Sequence, residues 1–118
     1  MIAGGIKTSG SFTDSVVEYD IDANTYNTIQ SLPNPTRRST LVNSDGFMYN
    51  FGGCGDGDCY SKSVSRIALS LTSDWETLDD MITSGEDMVV IPYNVWKTFQ
   101  EFVAKHNVVV FTYVNLKK

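Results

Sequence analysis

The sequence is poor in the residues on which catalysis and metal binding usually depend. Its 118 residues include one His, His106, and two Cys, Cys54 and Cys59. Because no Ser and Asp are placed beside that single His, we expect no catalytic triad and no other catalytic residues. A phosphate-binding loop of the Gly-x4-Gly-Lys-Ser/Thr form is absent as well. The sequence therefore predicts a protein that is not an enzyme and that binds no cofactor.

Positive charge and long apolar runs are scarce too. Lys and Arg total 9 against 14 Asp and Glu, which gives a net charge of −5 at pH 7. Nucleic-acid-binding proteins present a basic face, so we predict no nucleic-acid partner. No apolar run approaches the roughly 18 residues that span a bilayer, so we predict no membrane insertion. Residues 1–10 lack the basic and apolar regions of a signal peptide, and we therefore expect a cytoplasmic protein.

The two cysteines form a Cys-x4-Cys loop that leaves three interpretations open. We favour two reduced thiols. A local disulfide would close only a small loop and would contribute little chain entropy. A metal site is the least favoured interpretation, because two sulfurs lack a third and a fourth ligand nearby in the sequence. We therefore predict no metal ligands in this chain.

The same loop contains Asp56 and Asp58 between glycines, which suggests calcium at first sight. An EF-hand loop needs a closing Glu at its twelfth position. Counting from Asp56, that position is Ile67, which cannot bind calcium. The pattern therefore indicates a solvated loop.

What the sequence does contain is an internal repeat in a chain that is 42% hydrophobic and 12% aromatic. The pair Gly4-Gly5 recurs 48 residues later (52 − 4) as Gly52-Gly53, and Ser15-Val16 recurs at the same interval as Ser63-Val64. Repeats of about 50 residues are typical of β-propeller blades of the kelch type. The interval therefore favours an all-β fold.

Short β-branched and aromatic segments separated by turn residues predict strands throughout the repeat. Asp45-Gly46 predicts a tight hairpin, because Gly accepts positive φ. The expected strands are 14–20, 25–29, 38–42, 47–51, 63–69 and 75–78.

The ordered pattern resembles the kelch repeat. Arg38 to Val42 and Met48 to Gly53 look like that family's first two blade strands, and Val16 to Asp20 looks like its third. The residues that carry the resemblance are Gly4, Gly5, Tyr19, Tyr26, Arg38, Tyr49, Gly52, Gly53 and Trp75. The resemblance implies four-stranded antiparallel blades over 1–81, with an incomplete first blade and a complete second blade at 38–78. Tyr19, Tyr26 and Trp75 are suited to filling the space between blades.

Residues 82–118 lose the repeat and form a tail in our interpretation. A strand is possible at 87–91, and apolar residues at helical spacing predict a helix over 94–106. Asn94 suits the start of that helix. A further strand is expected at 108–114.

The resemblance implies a protein-interaction module with scaffold or adaptor roles, either as a fragment or as a subunit of a larger complex. We expect other protein chains to cover the exposed blade faces and edges, because about one and a half blades leave apolar surface open. The expected partner-binding residues are Lys7, Ser9, Ser11, Asp56, Asp58, Trp96 and Phe99. The alternative is part of a kelch-fold enzyme, an oxidase or sugar-acid isomerase, with catalytic residues outside this chain. A copper oxidase of that kind uses Tyr, His and Cys, and the single His speaks against it.

Overall fold

The computed structural model describes residues 1–55, 57–70 and 73–92, together with positions 94, 97, 98, 101 and 105. The chain divides into two compact units, Met1–Met88 and Val89–Lys118. The first unit extends beyond the predicted boundary at residue 81. The reason is that the segment 85–88 is bonded to the start of the second sheet: the Asp87 amide donates to the Arg38 carbonyl at 3.0 Å, and the Thr40 hydroxyl donates to the Met88 carbonyl.

The first sheet has three antiparallel strands in sequence order. Val16 lies at its centre, opposite Ala3 on one side and Ile29 on the other. The strands are β1 (Ile2–Ala3), β2 (Val16–Asp20) and β3 (Thr25–Ile29).

The second sheet has four antiparallel strands, also in sequence order. Along the chain, a small two-stranded hairpin comes after the second of these strands and before the third. The four strands are β4 (Thr40–Ser44), β5 (Phe47–Phe51), β8 (Val64–Ala68) and β9 (Glu76–Leu78). The hairpin consists of β6 (Cys54–Gly55) and β7 (Asp58–Cys59). The prediction of antiparallel β-sheets is confirmed for residues 1–81.

The turn between β4 and β5 shows why this strand pair forms. Asp45 and Gly46 have φ of 50° and 80°, and the flanking residues Ser44 and Phe47 are paired. Two central residues with positive φ give a primed turn, whose twist matches that of the strands. The hairpin predicted from Asp45-Gly46 is therefore present.

The core of the first unit lies between the two sheets. Val16 and Leu32 from the first repeat are buried against Ile67 and Trp75 from the second. The Trp75 side chain is only 9% exposed, and its Nε1 donates to the Gln30 carbonyl at 2.8 Å. This bond satisfies the indole N–H while the ring fills the space between the sheets. Around this cluster pack the half-buried or small side chains of Met1, Ala3, Ile29, Leu41 and Met48.

The sequence repeat is also a repeat of backbone hydrogen bonds. The Gly4 amide donates to the Ser15 carbonyl at 2.9 Å, and 48 residues later the Gly52 amide donates to the Ser63 carbonyl at 2.8 Å. After β2 and β8, equivalent residues of the two repeats are 49 positions apart instead of 48. Leu32 donates to Asp14, whereas Met81 donates to Lys62. One extra residue in the turn between β8 and β9 accounts for the change, because Tyr19–Tyr26 in the first repeat corresponds to Ile67–Trp75 in the second.

The repeated glycines are required by close backbone approach. Gly4 and Gly52 have φ of 67° and 60°. A Cβ on Gly4 would collide with the Thr36 carbonyl, and a Cβ on Gly52 would collide with the Gly85 carbonyl. The equivalent segment of each repeat thus passes close to the equivalent glycine. Only a residue without a side chain permits this close approach.

Three predictions differ from the structure or lie outside it. Among the described residues, 87–91 form no strand, and Asp87 has φ of 52°, which no strand accepts. Within the predicted helix 94–106, the positions 94, 97, 98, 101 and 105 are helical, but the residues between them lie outside the described part, so the helix stays a prediction. The predicted strand 108–114 also lies outside the described residues.

Among the described residues, no helix is long and apolar enough to cross a membrane.

Candidate functional site

The outer face of the first sheet, defined here as Ile2, Val17, Tyr19, Tyr26 and Thr28, points away from the core. Side chains alternate along a strand, so these residues lie opposite the face that carries Val16. Tyr26 is 68% exposed and Tyr19 is 37% exposed. The resemblance implied that Tyr19, Tyr26 and Trp75 fill the space between blades. Of these three side chains, Trp75 lies between the two sheets. Tyr19 and Tyr26 instead contact each other, with ring centroids 4.8 Å apart.

Tyr19 is further fixed by its hydroxyl, which donates to Asn24 Oδ1 at 2.6 Å. Asn24 has φ of 54° in the turn between β2 and β3. The turn therefore holds one ring of the pair in place. The result is a preformed aromatic surface that loses little side-chain entropy when something binds to it.

The outer face of the second sheet, defined as Phe47, Tyr49, Phe51, Arg66 and Glu76, lies on the side of that sheet away from the first. Tyr49 stacks on Phe51 with centroids 6.0 Å apart, and Phe47 lies 6.2 Å from Tyr49. Phe47, Tyr49 and Phe51 occupy alternate positions of β5 and therefore share this face.

Arg66 is held over this aromatic row. Its guanidinium carbon lies 4.3 Å from the centroid of Phe47, and its Nε donates to Glu76 Oε2 at 2.7 Å. The hydrogen bond to Glu76, followed by one to Tyr49, raises the pKa of Arg66 above its usual value. Arg beside Tyr and Phe is the composition that protein-binding surfaces favour.

Each repeat has one hairpin directly after its glycine pair. In the first, Ile6 pairs with Phe12, and the Lys7 amide donates to the Ser11 carbonyl at 2.8 Å. Ser9 and Ser11 share a hydroxyl hydrogen bond of 2.8 Å. The structure therefore brings together Lys7, Ser9 and Ser11, which the sequence proposed as partner contacts, on one exposed turn.

The equivalent hairpin in the second repeat is closed by a disulfide. Cys54 and Cys59 lie opposite each other in β6 and β7 and are bonded to each other. The structure thus has the disulfide and not the reduced thiols that we favoured, because strand pairing brings the two sulfurs together. Asp56 and the side chain of Asp58 lie outside the described residues, as do Trp96 and Phe99.

Glu86 is the residue near this hairpin that the sequence did not reveal. One of its carboxylate oxygens and the two sulfurs of Cys54 and Cys59 lie within 4.8 Å of one another. Arg38 pairs with Glu86 at 3.3 Å and with Asp87 at 3.6 Å. Glu86 follows the last predicted strand of the repeat, so no local spacing links it to the cysteines.

A cleft of about 320 Å³ lies between the second sheet and the segment from Leu32 to Thr36. Asn50 is 5% exposed, and its Oδ1 has no hydrogen-bond partner among the described residues. Ser65 and Thr77, on neighbouring strands, also line the cleft. A water molecule there would satisfy Asn50, which is the usual arrangement for a buried polar atom beside a cavity.

Comparison with known proteins adds no relative. A scan against protein-family models finds no match, and a search of curated proteins finds no significant similarity.

Proposed function

We propose that this chain is a protein-interaction module built from kelch-like propeller blades, acting as a scaffold or adaptor within a larger cytoplasmic assembly. It works by binding other chains and not by catalysing a reaction. The antiparallel strand order of both sheets and the repeated hydrogen bonds at Gly4 and Gly52 support blades as repeating units.

The observation that carries the proposal is the outer face of the first sheet. In the repeat, Tyr19 corresponds to Ile67 and Tyr26 corresponds to Trp75. Ile67 and Trp75 are buried because the first sheet packs on them, whereas Tyr26 is largely exposed. The positions that the first sheet covers in the second repeat thus correspond to exposed positions in the first repeat.

The contact between the two sheets also indicates the kind of partner. The covering surface in that contact is apolar: the sheet contributes Ala3, Val16 and Ile29, and Met1 and Leu32 pack beside them. A partner that covers Tyr19 and Tyr26 in the same way would present a similar sheet face. The partner would therefore be a protein β-sheet and not an extended peptide or a small molecule.

Site-specific photo-crosslinking in cells tests this proposal. A photoreactive amino acid replaces Tyr26 on the outer face of the first sheet. In the matched control it replaces Asp22, which is exposed in the neighbouring turn. We expect a discrete adduct of higher mass from position 26 and none from position 22. The proposal is wrong if position 26 gives no adduct, or if both positions give the same adducts.

A further inference from the structure

We propose that Cys54, Cys59 and Glu86 bind one zinc ion when the Cys54–Cys59 disulfide is reduced. The three candidate ligand atoms already lie within 4.8 Å of one another. In a tetrahedral zinc site with Zn–S of about 2.3 Å and Zn–O of about 2.1 Å, ligand atoms are separated by roughly 3.5 to 3.8 Å. The reduced site therefore needs only small side-chain movements to reach this geometry.

Backbone hydrogen bonds hold the three ligands in place without the disulfide. The Cys54 amide donates to the Arg37 carbonyl at 2.8 Å, and the Arg37 amide donates back to Cys54 at 3.0 Å. Glu86 is fixed on both sides, because Gly53 donates to the Gly85 carbonyl at 2.9 Å and Asp87 donates to Arg38. Breaking the sulfur–sulfur bond thus removes only one of several constraints that keep Glu86 beside Cys54.

The charges and the burial of the site suit a divalent ion. Two thiolates and one carboxylate exceed the charge of zinc by one negative unit, and the Arg38 guanidinium lies 3.3 Å from Glu86. Cys54 is buried, whereas Cys59 is exposed. Solvent can therefore supply the fourth ligand, which is typical of zinc sites with three protein ligands.

Opening the site requires a two-electron reductant, which in a cell would be a dithiol. The reductant gives two electrons and two protons to the Cys54–Cys59 bond by thiol–disulfide exchange and leaves as its own disulfide. Zinc binding then releases the two thiol protons to solvent. A reducing cytoplasm, where disulfides are rare, would favour the metal-binding form. An oxidised dithiol would reverse the reaction: it takes two electrons from the two thiolates, is itself reduced to the dithiol with two protons from solvent, and leaves the Cys54–Cys59 disulfide and the free ion.

Zinc titration of the full chain tests the inference, with a chromophoric chelator as competitor. The protein is first reduced with a phosphine, and thiol reactivity is measured with and without zinc. We expect one zinc per chain, protection of two thiols, and no binding by the oxidised protein. Glu86→Gln should weaken zinc affinity at least about tenfold. The matched control is Asp80→Asn, which removes an exposed carboxylate beyond β9 and should bind like the unaltered chain.

Cys59→Ser provides a second variant at an exposed position and should abolish binding of the single ion. The inference is overturned if the reduced chain binds no zinc or leaves both thiols reactive. It is also overturned if Glu86→Gln or Cys59→Ser binds as tightly as the unaltered chain. These results are independent of the crosslinking at position 26, so either proposal can fail without the other.

Discussion

At the scale of single residues, the missing side chain of glycine determines how each repeat closes. Gly4 and Gly52 lie against the carbonyls of Thr36 and Gly85, with the chain in the left-handed region of φ. The sequence predicts the need for glycine at these positions, because the pair recurs at a fixed interval. It does not predict which carbonyl lies against each glycine, since that contact joins residues more than 30 positions apart.

The substitution Gly52→Ala tests whether this close backbone approach requires glycine. Gly46 is the matched control, because it has φ of 80° and open space where a Cβ would lie. Gly46→Ala should lower the free energy of unfolding by about 1–2 kcal/mol, the cost of a left-handed conformation. Gly52→Ala should cost at least about 1 kcal/mol more, because its Cβ also displaces a backbone carbonyl. Urea denaturation measures both, and equal losses would contradict the close approach at Gly52.

Residue-scale chemistry was the least predictable part of the chain. The Cys-x4-Cys spacing left thiols, a disulfide and a metal site open, and the pairing of β6 with β7 decides for the disulfide. Glu86 had no signal in the sequence, because its position beside the sulfurs depends on the bonds of Gly85 to Gly53 and Ser61 and of Asp87 to Arg38. Contacts of this kind follow from the tertiary fold and not from local spacing.

At the scale of elements, strands were predictable where turn residues and alternation agree. The predicted strands 25–29 and 47–51 match β3 and β5 in their bounds. The strand expected at 87–91 is not found, although its Val and Ile residues favour strands. Asp87 takes a left-handed conformation and its amide is bonded to Arg38, which directs this segment across the end of the second sheet.

Trp75 is the side chain that joins the two sheets, and its removal tests their packing. Trp75→Phe loses the hydrogen bond to Gln30 and leaves unfilled volume in the core, so unfolding free energy should fall by about 2 kcal/mol. Tyr26→Phe is the control at the equivalent position of the first repeat, where exposure limits the expected change to about 0.5 kcal/mol. Thermal or urea unfolding measures both variants. Equal effects would mean that Trp75 does not carry the contact between the sheets.

At the scale of the whole molecule, the central claim is that the outer face of the first sheet is a binding surface. The repeat in the sequence predicts two similar units, and the structure shows how one packs on the other through Val16, Ile67 and Trp75. Tyr19 and Tyr26 lie on the face of the first sheet that is directed away from this contact. Phe47, Tyr49 and Phe51 lie on the corresponding face of the second sheet. The sequence could not predict how exposed each face is, because exposure depends on which sheet covers which.

Light scattering coupled to size exclusion tests this claim most directly. The mass of the purified chain is followed over a range of concentrations, beside a Tyr19→Lys/Tyr26→Lys variant that places charge on the outer face of the first sheet. The account predicts that the unaltered chain associates to masses above 13.1 kDa and that the variant shifts towards 13.1 kDa. A cooperative, soluble monomer of 13.1 kDa at every concentration, identical to the variant, would contradict it.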